Sequence, residues 1–264
     1  MKISTWNVNS LRVRIEHVCD WLQENQPDVL ALQELKITND LFPFEQIAES
    51  GYRAVANGQK TYNGVAILSR EEPVDLVHEL PDFEDQQRRV LAATIGDYRV
   101  INLYVPNGQI VDSDKYKYKL NWLDALHDFL QEQISMFPNL VVLGDFNIAP
   151  DDRDVHDPEG WQGNVLVSDK ERNALKKILD LGMVDTFRQF EQAENIFSWW
   201  DYRAGAFRRN RGLRIDLVLA SKSLAGKCLS CDVDIEPRTL ERPSDHAPVS
   251  AVFSAKPSIW PRKV

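Results

Sequence analysis

The stretch Leu140-Val141-Val142-Leu143-Gly144-Asp145-Phe146-Asn147-Ile148-Ala149-Pro150 constrains this chain more than any other. Its apolar run, half of it β-branched, reads as a buried strand, and the Gly and the closing Pro bracket the polar segment after it. Residues i and i+2 of an extended chain share a face, so Asp145 and Asn147 are expected to point the same way, with Phe146 opposite. A carboxylate and a carboxamide presented together at a strand end suit chemistry. An Asp and an Asn that only cap a turn have the same sequence, so the stretch by itself leaves both readings open.

The rest of the chain has to decide between them. Its 264 residues are 43% hydrophobic, enough for a substantial core in one large domain or two small ones. No linker, repeat or low-complexity tract divides it, so a single domain over residues 1–264 is expected. No apolar run approaches the about 20 residues that span a bilayer. Met1–Trp6 passes into a strand-like pattern without the apolar core of a signal peptide, and a cytoplasmic location without membrane contact is expected. Cys19, Cys228 and Cys231 are too few for a disulfide framework, and Cys228-Leu-Ser-Cys231 lacks the second pair that a structural zinc needs.

A formal net charge of −9 argues against non-specific coating of nucleic acid. The charge is nevertheless segregated. Between Tyr202 and Arg214 lie Arg203, Arg208, Arg209, Arg211 and Arg214 without an acid, directly after the aromatic stretch Phe197-Ser198-Trp199-Trp200-Asp201-Tyr202. Arginines beside aromatics can hold phosphates and stack bases.

Along the chain, Lys2–Asn9 reads as a first strand. Leu11, Ile15, Val18, Cys19 and Leu22 recur at helical spacing, with Ser10 as a cap and Pro27 as the stop. Val29–Leu32 is a short buried strand ending at Gln33-Glu34. Strands are expected at 52–56, 64–69, 74–79, 90–95 and 99–105, paired as hairpins. Leu120, Leu123, His127, Leu130 and Ile134, widened by Leu126 and Phe129, mark a long helix with His127 at the core edge. A further helix is expected over 169–181 and strands near 213–220, 229–235 and 247–253. Hairpins interleaved with helices suggest a layered α/β sandwich rather than a simple βαβ repeat. Trp6-Asn7-Val8 and Phe146-Asn147-Ile148 share an aromatic-Asn-aliphatic strand end, a hint of two similar halves.

Polar residues collect at these strand ends: Asn7, Asn9, Glu34, Asp145, Asn147, Asp216, Asp245 and His246. Such an oxygen-rich set suits Mg²⁺, with Mn²⁺ as a substitute, better than zinc. The chain has no G-x-x-x-x-G-K-[ST], G-x-S-x-G or G-x-G-x-x-G motif, so no nucleotide cofactor is expected. Metal-assisted hydrolysis of a phosphodiester remains, which needs charge neutralisation, an aimed water and a stabilised leaving oxygen. Asp216 lies in the buried pattern Arg214-Ile215-Asp216-Leu217-Val218-Leu219, where an unpaired carboxylate is costly, and a His partner would resolve that cost.

Taken together, Trp6-Asn7-Val8-Asn9, Leu32-Gln33-Glu34, Asn63–Ser69, Gly144-Asp145-Phe146-Asn147, Leu213–Asp216 and Ser244-Asp245-His246 resemble the exonuclease III family of AP endonucleases, in the family's order and over essentially the whole chain. Gln87-Arg88-Arg89, Tyr104–Gly108 and Phe197–Arg203 resemble its bacterial branch. The resemblance implies an α/β, four-layer αββα sandwich of two mixed sheets flanked by helices, with the site at one edge of both sheets. By similarity, Glu34 is the main metal ligand, assisted by Asn7 or Asn9 and Asp245. Some relatives carry Asp where this chain has Asn9, which would weaken a second metal position. Asp145 matches the residue that orients or deprotonates the attacking water, and Asn147 its neighbour at the phosphate. Asp216 and His246 match a carboxylate-imidazole pair, and Tyr104 a tyrosine near the leaving group. Asn164, Arg208, Arg209 and Arg211 are expected to hold DNA phosphates, and Trp199, Trp200 and Ile215 to line a pocket for a base-less sugar.

The implied activity is a Mg²⁺-dependent DNA-repair phosphodiesterase that cuts 5′ to abasic sites and trims 3′ ends of duplex DNA, acting as a monomer. The alternatives are a related phosphodiesterase acting on RNA or small phosphoesters, and a non-catalytic DNA-binding scaffold of the same fold.

Overall fold

Apolar runs with β-branched residues become strands, and helically spaced apolar residues become the layers that cover them. A computed structural model describes residues 1–254. In chain order the strands are β1 (Lys2–Asn7), β2 (Val29–Gln33), β3 (Arg53–Asn57), β4 (Val65–Ser69), β5 (Val74–Val77), β6 (Val90–Ile95), β7 (Tyr98–Tyr104), β8 (Leu140–Asp145), β9 (Met183–Asp185), β10 (Asp216–Ser221), β11 (Cys228–Val233) and β12 (Val249–Phe253). The helices are α1 (Leu11–Asn25), α2 (Phe44–Glu49), α3 (Asp114–Met136), α4 (Pro158–Trp161), α5 (Asp169–Asp180) and α6 (Lys222–Ala225). No helix among the described residues is long and apolar enough to cross a membrane.

The strands form two six-stranded sheets, β11-β12-β1-β2-β4-β3 and β5-β6-β7-β8-β10-β9. Ile3, Val29, Ala31, Val65 and Ile67 of the first sheet face Leu91, Ala93, Val141, Leu143 and Val218 of the second across an apolar core. On the outer faces, Trp6, Leu30, Leu32 and Leu68 pack on α1 and α2. Ile101, Leu103, Val142 and Leu219 pack on α3 and α5. Four layers, αββα, result from strands whose alternate residues are apolar on both faces.

The strand ends carrying Asn7 and Asp145 occupy equivalent places. β1 lies parallel to β2 and antiparallel to β12. β8 lies parallel to β7 and antiparallel to β10. The shared aromatic-Asn-aliphatic pattern therefore marks a matching position in each sheet. Gly144 is required there: with φ at 141°, a Cβ would sit 1.9 Å from the Leu103 carbonyl oxygen of the parallel neighbour. A polar bridge also crosses the core, where Gln33 Nε2 donates to Asn102 Oδ1 (2.7 Å) and to Thr5 Oγ1 (2.8 Å).

Several expectations are corrected. Ser10 makes no side-chain cap and has φ of 91°; instead its N–H donates to the Glu34 carbonyl (2.8 Å), tying the start of α1 to the loop after β2. The buried face of α3 includes Lys119, Trp122 and Gln133, while Leu120 and Ile134 are only partly buried; His127 lies at the core edge, as expected. Apolar spacing alone cannot register a buried lysine. The strand expected at 213–220 begins at Asp216, because Leu213 bridges to Val155 and Trp199 instead. Asn147 is not in extended chain: its φ is 49° and its N–H donates to Asp145 Oδ1 (2.9 Å). Asp145 thus does cap a turn, with one of its two oxygens.

Candidate active site

The site forms where the ends of β1, β2, β7, β8 and β10 meet the turn before β12. β8 and β10 pair so that Asp145 lies directly opposite Asp216. The turn Ser244-Asp245-His246 is bolted to β1, because Ser244 Oγ donates to the Asn7 carbonyl (2.6 Å) and Trp6 Nε1 to the His246 carbonyl (3.2 Å). Sequence-distant residues are brought together by backbone that ladder hydrogen bonds already fix.

Asp216 is fully buried. It accepts from Ser198 Oγ (2.6 Å) and faces His246 Nδ1 at 2.8 Å. Ser198 Oγ in turn accepts the N–H groups of Ile215 and Asp216, both at 3.0 Å. The carboxylate so held fixes the imidazole and leaves Nε2 directed toward Asp145 Oδ2, 3.7 Å away. Burial disfavours the charged ring, yet Asp216 and Asp145 overcome it and push His246 up to about 10. Asp145 is likewise buried. Burial, reinforced by Asp216 and opposed by His246 and by donors from Asn7 and Asn147, pushes its carboxyl up to about 7.

Asn7 joins this centre to a second one. Its Nδ2 donates to Asp145 Oδ2 (2.9 Å) and to Glu34 Oε2 (3.0 Å), while its Oδ1 accepts from the Asn9 N–H (2.9 Å). Asn7 therefore spaces two carboxylates, and its own oxygen is already engaged. Lys36 Nζ sits between Glu34 Oε1 (3.0 Å) and Asn9 Oδ1 (2.6 Å). Its ammonium marks the place where these oxygens can hold a cation, so the donor set fits a hard divalent ion. Asp245 lies beside it, its oxygens accepting from Asn9 Nδ2 and Trp199 Nε1 at 2.9 and 3.0 Å. Among the described residues, Asp145, Asp216 and His246 also lie within 4.8 Å of one another, close enough to share a metal. Burial and the neighbouring Glu34 and Asp145 raise Tyr104 well above its ordinary value, so its phenol remains a donor.

Residues 4–246 match the Endonuclease/Exonuclease/phosphatase family. The chain belongs to that family. A curated relative, exodeoxyribonuclease III of Haemophilus influenzae, is 35% identical, with 96% of this chain and 100% of the relative covered. A 3′ phosphatase from Neisseria, solved with a product DNA hairpin, is 48% identical with a TM-score of 0.95, over 97% of this chain and 100% of that one. An AP endonuclease from Archaeoglobus fulgidus is 44% identical with a TM-score of 0.93, over the same shares. Within the Endonuclease/Exonuclease/phosphatase family, this chain is a nuclease.

Other residues singled out from the sequence lie elsewhere than expected of family site residues. Trp200 is buried with Phe197, Ala206 and Ala247, meets Phe207 edge-on at 5.1 Å and donates from Nε1 to Asn210. It packs the core. Ile215 is buried with Ala149, Val155, Leu166 and Leu213, and only the half-buried Trp199 extends this cluster toward Asp245. Asn164 is exposed and donates to the Gly160 carbonyl. The amide beside Asn147 is Asn107, whose Nδ2 donates to Asn147 Oδ1 at 3.0 Å. The sequence carried a signal for it in Tyr104–Gly108, one turn past β7.

The arginine run separates into different roles. Arg208, Arg209 and Arg211 are exposed. Arg203 pairs with Asp201, and Arg214 is buried against Asp154 and Asp185. Arg89, of the Gln87-Arg88-Arg89 motif, stacks over Tyr104 at 4.7 Å and donates to its carbonyl.

Proposed function

We propose that this chain is a Mg²⁺-dependent phosphodiesterase of DNA repair, cleaving 5′ to abasic sites and removing nucleotides or blocking groups from 3′ ends of duplex DNA. The observation that carries the reading is the buried Asp145, held opposite the Asp216-His246 pair and joined through Asn7 to Glu34. An in-line displacement needs a base-side group, a phosphate-side donor and cation-compatible oxygens within one hydrogen-bonded frame, and these supply them.

Asp145 accepts a proton from the attacking water or holds that water in line. His246, protonated through its carboxylates, donates from Nε2 to a phosphate oxygen, and Asn147 adds a neutral donor. Tyr104 donates toward the leaving oxygen. Glu34 and Asn9, assisted by Asp245, would hold the cation, with Asn7 spacing Glu34 from Asp145; Mg²⁺, or Mn²⁺ in its place, would neutralise phosphate charge when bound. Arg208, Arg209 and Arg211 contact DNA phosphates without reading sequence. Trp199, rather than Trp200, faces the sugar. The protein acts as a monomer. The Neisseria and Archaeoglobus relatives, a 3′ phosphatase and an AP endonuclease, support both branches of this activity.

Matched duplexes, one with an internal abasic analogue and one with a recessed 3′-phosphate, test the reading with Mg²⁺ present or chelated. Incision 5′ to the analogue and release of phosphate, both abolished by EDTA, are expected. Hydrolysis of RNA or small phosphodiesters in preference to either duplex would replace it, as would activity indifferent to EDTA.

A further inference from the structure

A lysine with no exposed surface is rare, and Lys119 in α3 is one. Its Nζ donates to Glu171 Oε1 (2.5 Å), to the Asn147 carbonyl (2.6 Å) and to the Asn107 carbonyl (3.2 Å). An ammonium has three protons, and each finds an acceptor. Glu171 of α5 is buried as completely. It accepts the N–H of Leu166 (3.0 Å) and of Ser168 (3.2 Å), together with the Ser168 hydroxyl. Ser168 Oγ lies 2.6 Å from the Tyr116 hydroxyl, back on α3. One buried ion pair thus gathers both helices, the turn after β8, the loop after β7 and the approach to α5.

The loops bend to meet it. Gly108 passes over the lysine stem so closely that a Cβ would lie 3.2 Å from Lys119 Cδ. Leu166 adopts φ of 76°, a conformation that costs a branched side chain energy, and is held there by Glu171 at its N–H and by the Ala149 N–H at its carbonyl. Leu166 also belongs to the apolar cluster that reaches Trp199. The pair therefore connects the Asn107-Asn147 amides with the apolar cluster against which Trp199 packs.

We propose that Lys119 and Glu171 are positioning residues for the reaction: their ion pair sets the Asn107-Asn147 amide pair and the Leu166 backbone in one register. Neither touches reacting atoms. A helix-to-helix staple would need only the pair itself, whereas this ammonium directs two of its three protons at the backbone of residues at the site. The inference rests on the proposed role of Asn147 at the phosphate.

The double variant Lys119→Met/Glu171→Gln removes both charges at nearly constant volume, and exchange of a buried pair for neutral groups leaves stability largely intact. Its thermal midpoint is expected to stay near that of the parent. Its kcat on the 3′-phosphorylated duplex is expected to fall about tenfold or more, as small misplacements at a reacting centre do, with KM for DNA within about threefold. The side-chain amide signals of Asn107 and Asn147 in nitrogen-15 spectra should move, and those of Asn102 should not. Parent-like kcat with unmoved amide signals in a folded double variant would overturn the proposal. Should that variant not fold, Glu171→Asp, which keeps both charges and draws the lysine back, carries the same kcat-against-KM test, and parent-like kcat there overturns it. A parent protein that cleaves no DNA defeats the functional reading instead, and the amide spectra still report on the positioning.

Discussion

β1 and β8 hold equivalent places in their sheets and end alike, yet do different work. Trp6 and Phe146 both turn outward onto helices. The asparagines next to them diverge. Asn7 directs its amide protons at two carboxylates, Glu34 and Asp145. Asn147 directs Nδ2 at the Val105 carbonyl and accepts from Asn107. One residue before each aromatic the contrast is sharper still, because β8 has Asp145 where β1 has Thr5, a hydroxyl that only accepts from Gln33. Architecture assigns the position, and the charge of the neighbours assigns the task.

Breaking the two strand ends in parallel separates these tasks. The largest effect is expected for Asp145→Asn, which keeps the shape and the turn but removes the base-side charge; kcat should drop about a thousandfold or more, with duplex affinity by fluorescence anisotropy retained. Thr5→Val at the equivalent place should leave kcat intact and cost about 1 kcal/mol in urea denaturation through the lost Gln33 contact. Equal kcat losses would erase the distinction.

Asn7→Ala comes next. Without its spacer Glu34 and Asp145 face each other bare, and an outer-shell loss of this kind weakens metal affinity about 10–100-fold. A titration of Mg²⁺ against activity should show the higher midpoint.

The smallest effect is a pH displacement. The reaction uses ionised Asp145, whose carboxyl burial pushes up to about 7, so activity at limiting Mg²⁺ should fall as pH drops below that value. Saturating Mg²⁺ favours the ionised form and should shift the limb to lower pH. For stability the sign is opposite. A folded-state value raised from 3.8 gives a contribution fully present below that value and lost as pH rises through about 7. His246, raised from 6.5, contributes below 6.5 and loses that contribution as pH rises through about 10.

These contrasts also explain how much of the molecule its sequence discloses. The strands, the long helices and the carboxylates were legible because buried strands declare themselves by apolar runs, and polar groups at their ends have no packing reason to be there. The need of Asp216 for a partner came from the cost of a buried charge, and His246 stands beside it. Three-dimensional closure was not legible. Trp199 and Trp200 are adjacent and identical in sequence, but the first reaches Asp245 and the second packs on Phe207. Asn164 and Asn107 are both loop asparagines, and only pairing across loops distinguishes them. Lys119 was hidden because a charged residue on the inner face of a helix contradicts the periodicity used to find that face.

The place of β12 has a consequence for how the molecule comes into being. Lys2 of the first strand pairs with Val252 of the last, so β1 presents a bare edge until nearly all of these residues have been synthesised. An open central edge invites pairing with other chains, and contacts so remote in sequence form slowly. The turn that carries Asp245 and His246 arrives in the same late segment. The Asp216-His246 pair is thus completed only by the segment that also closes the first sheet on β1.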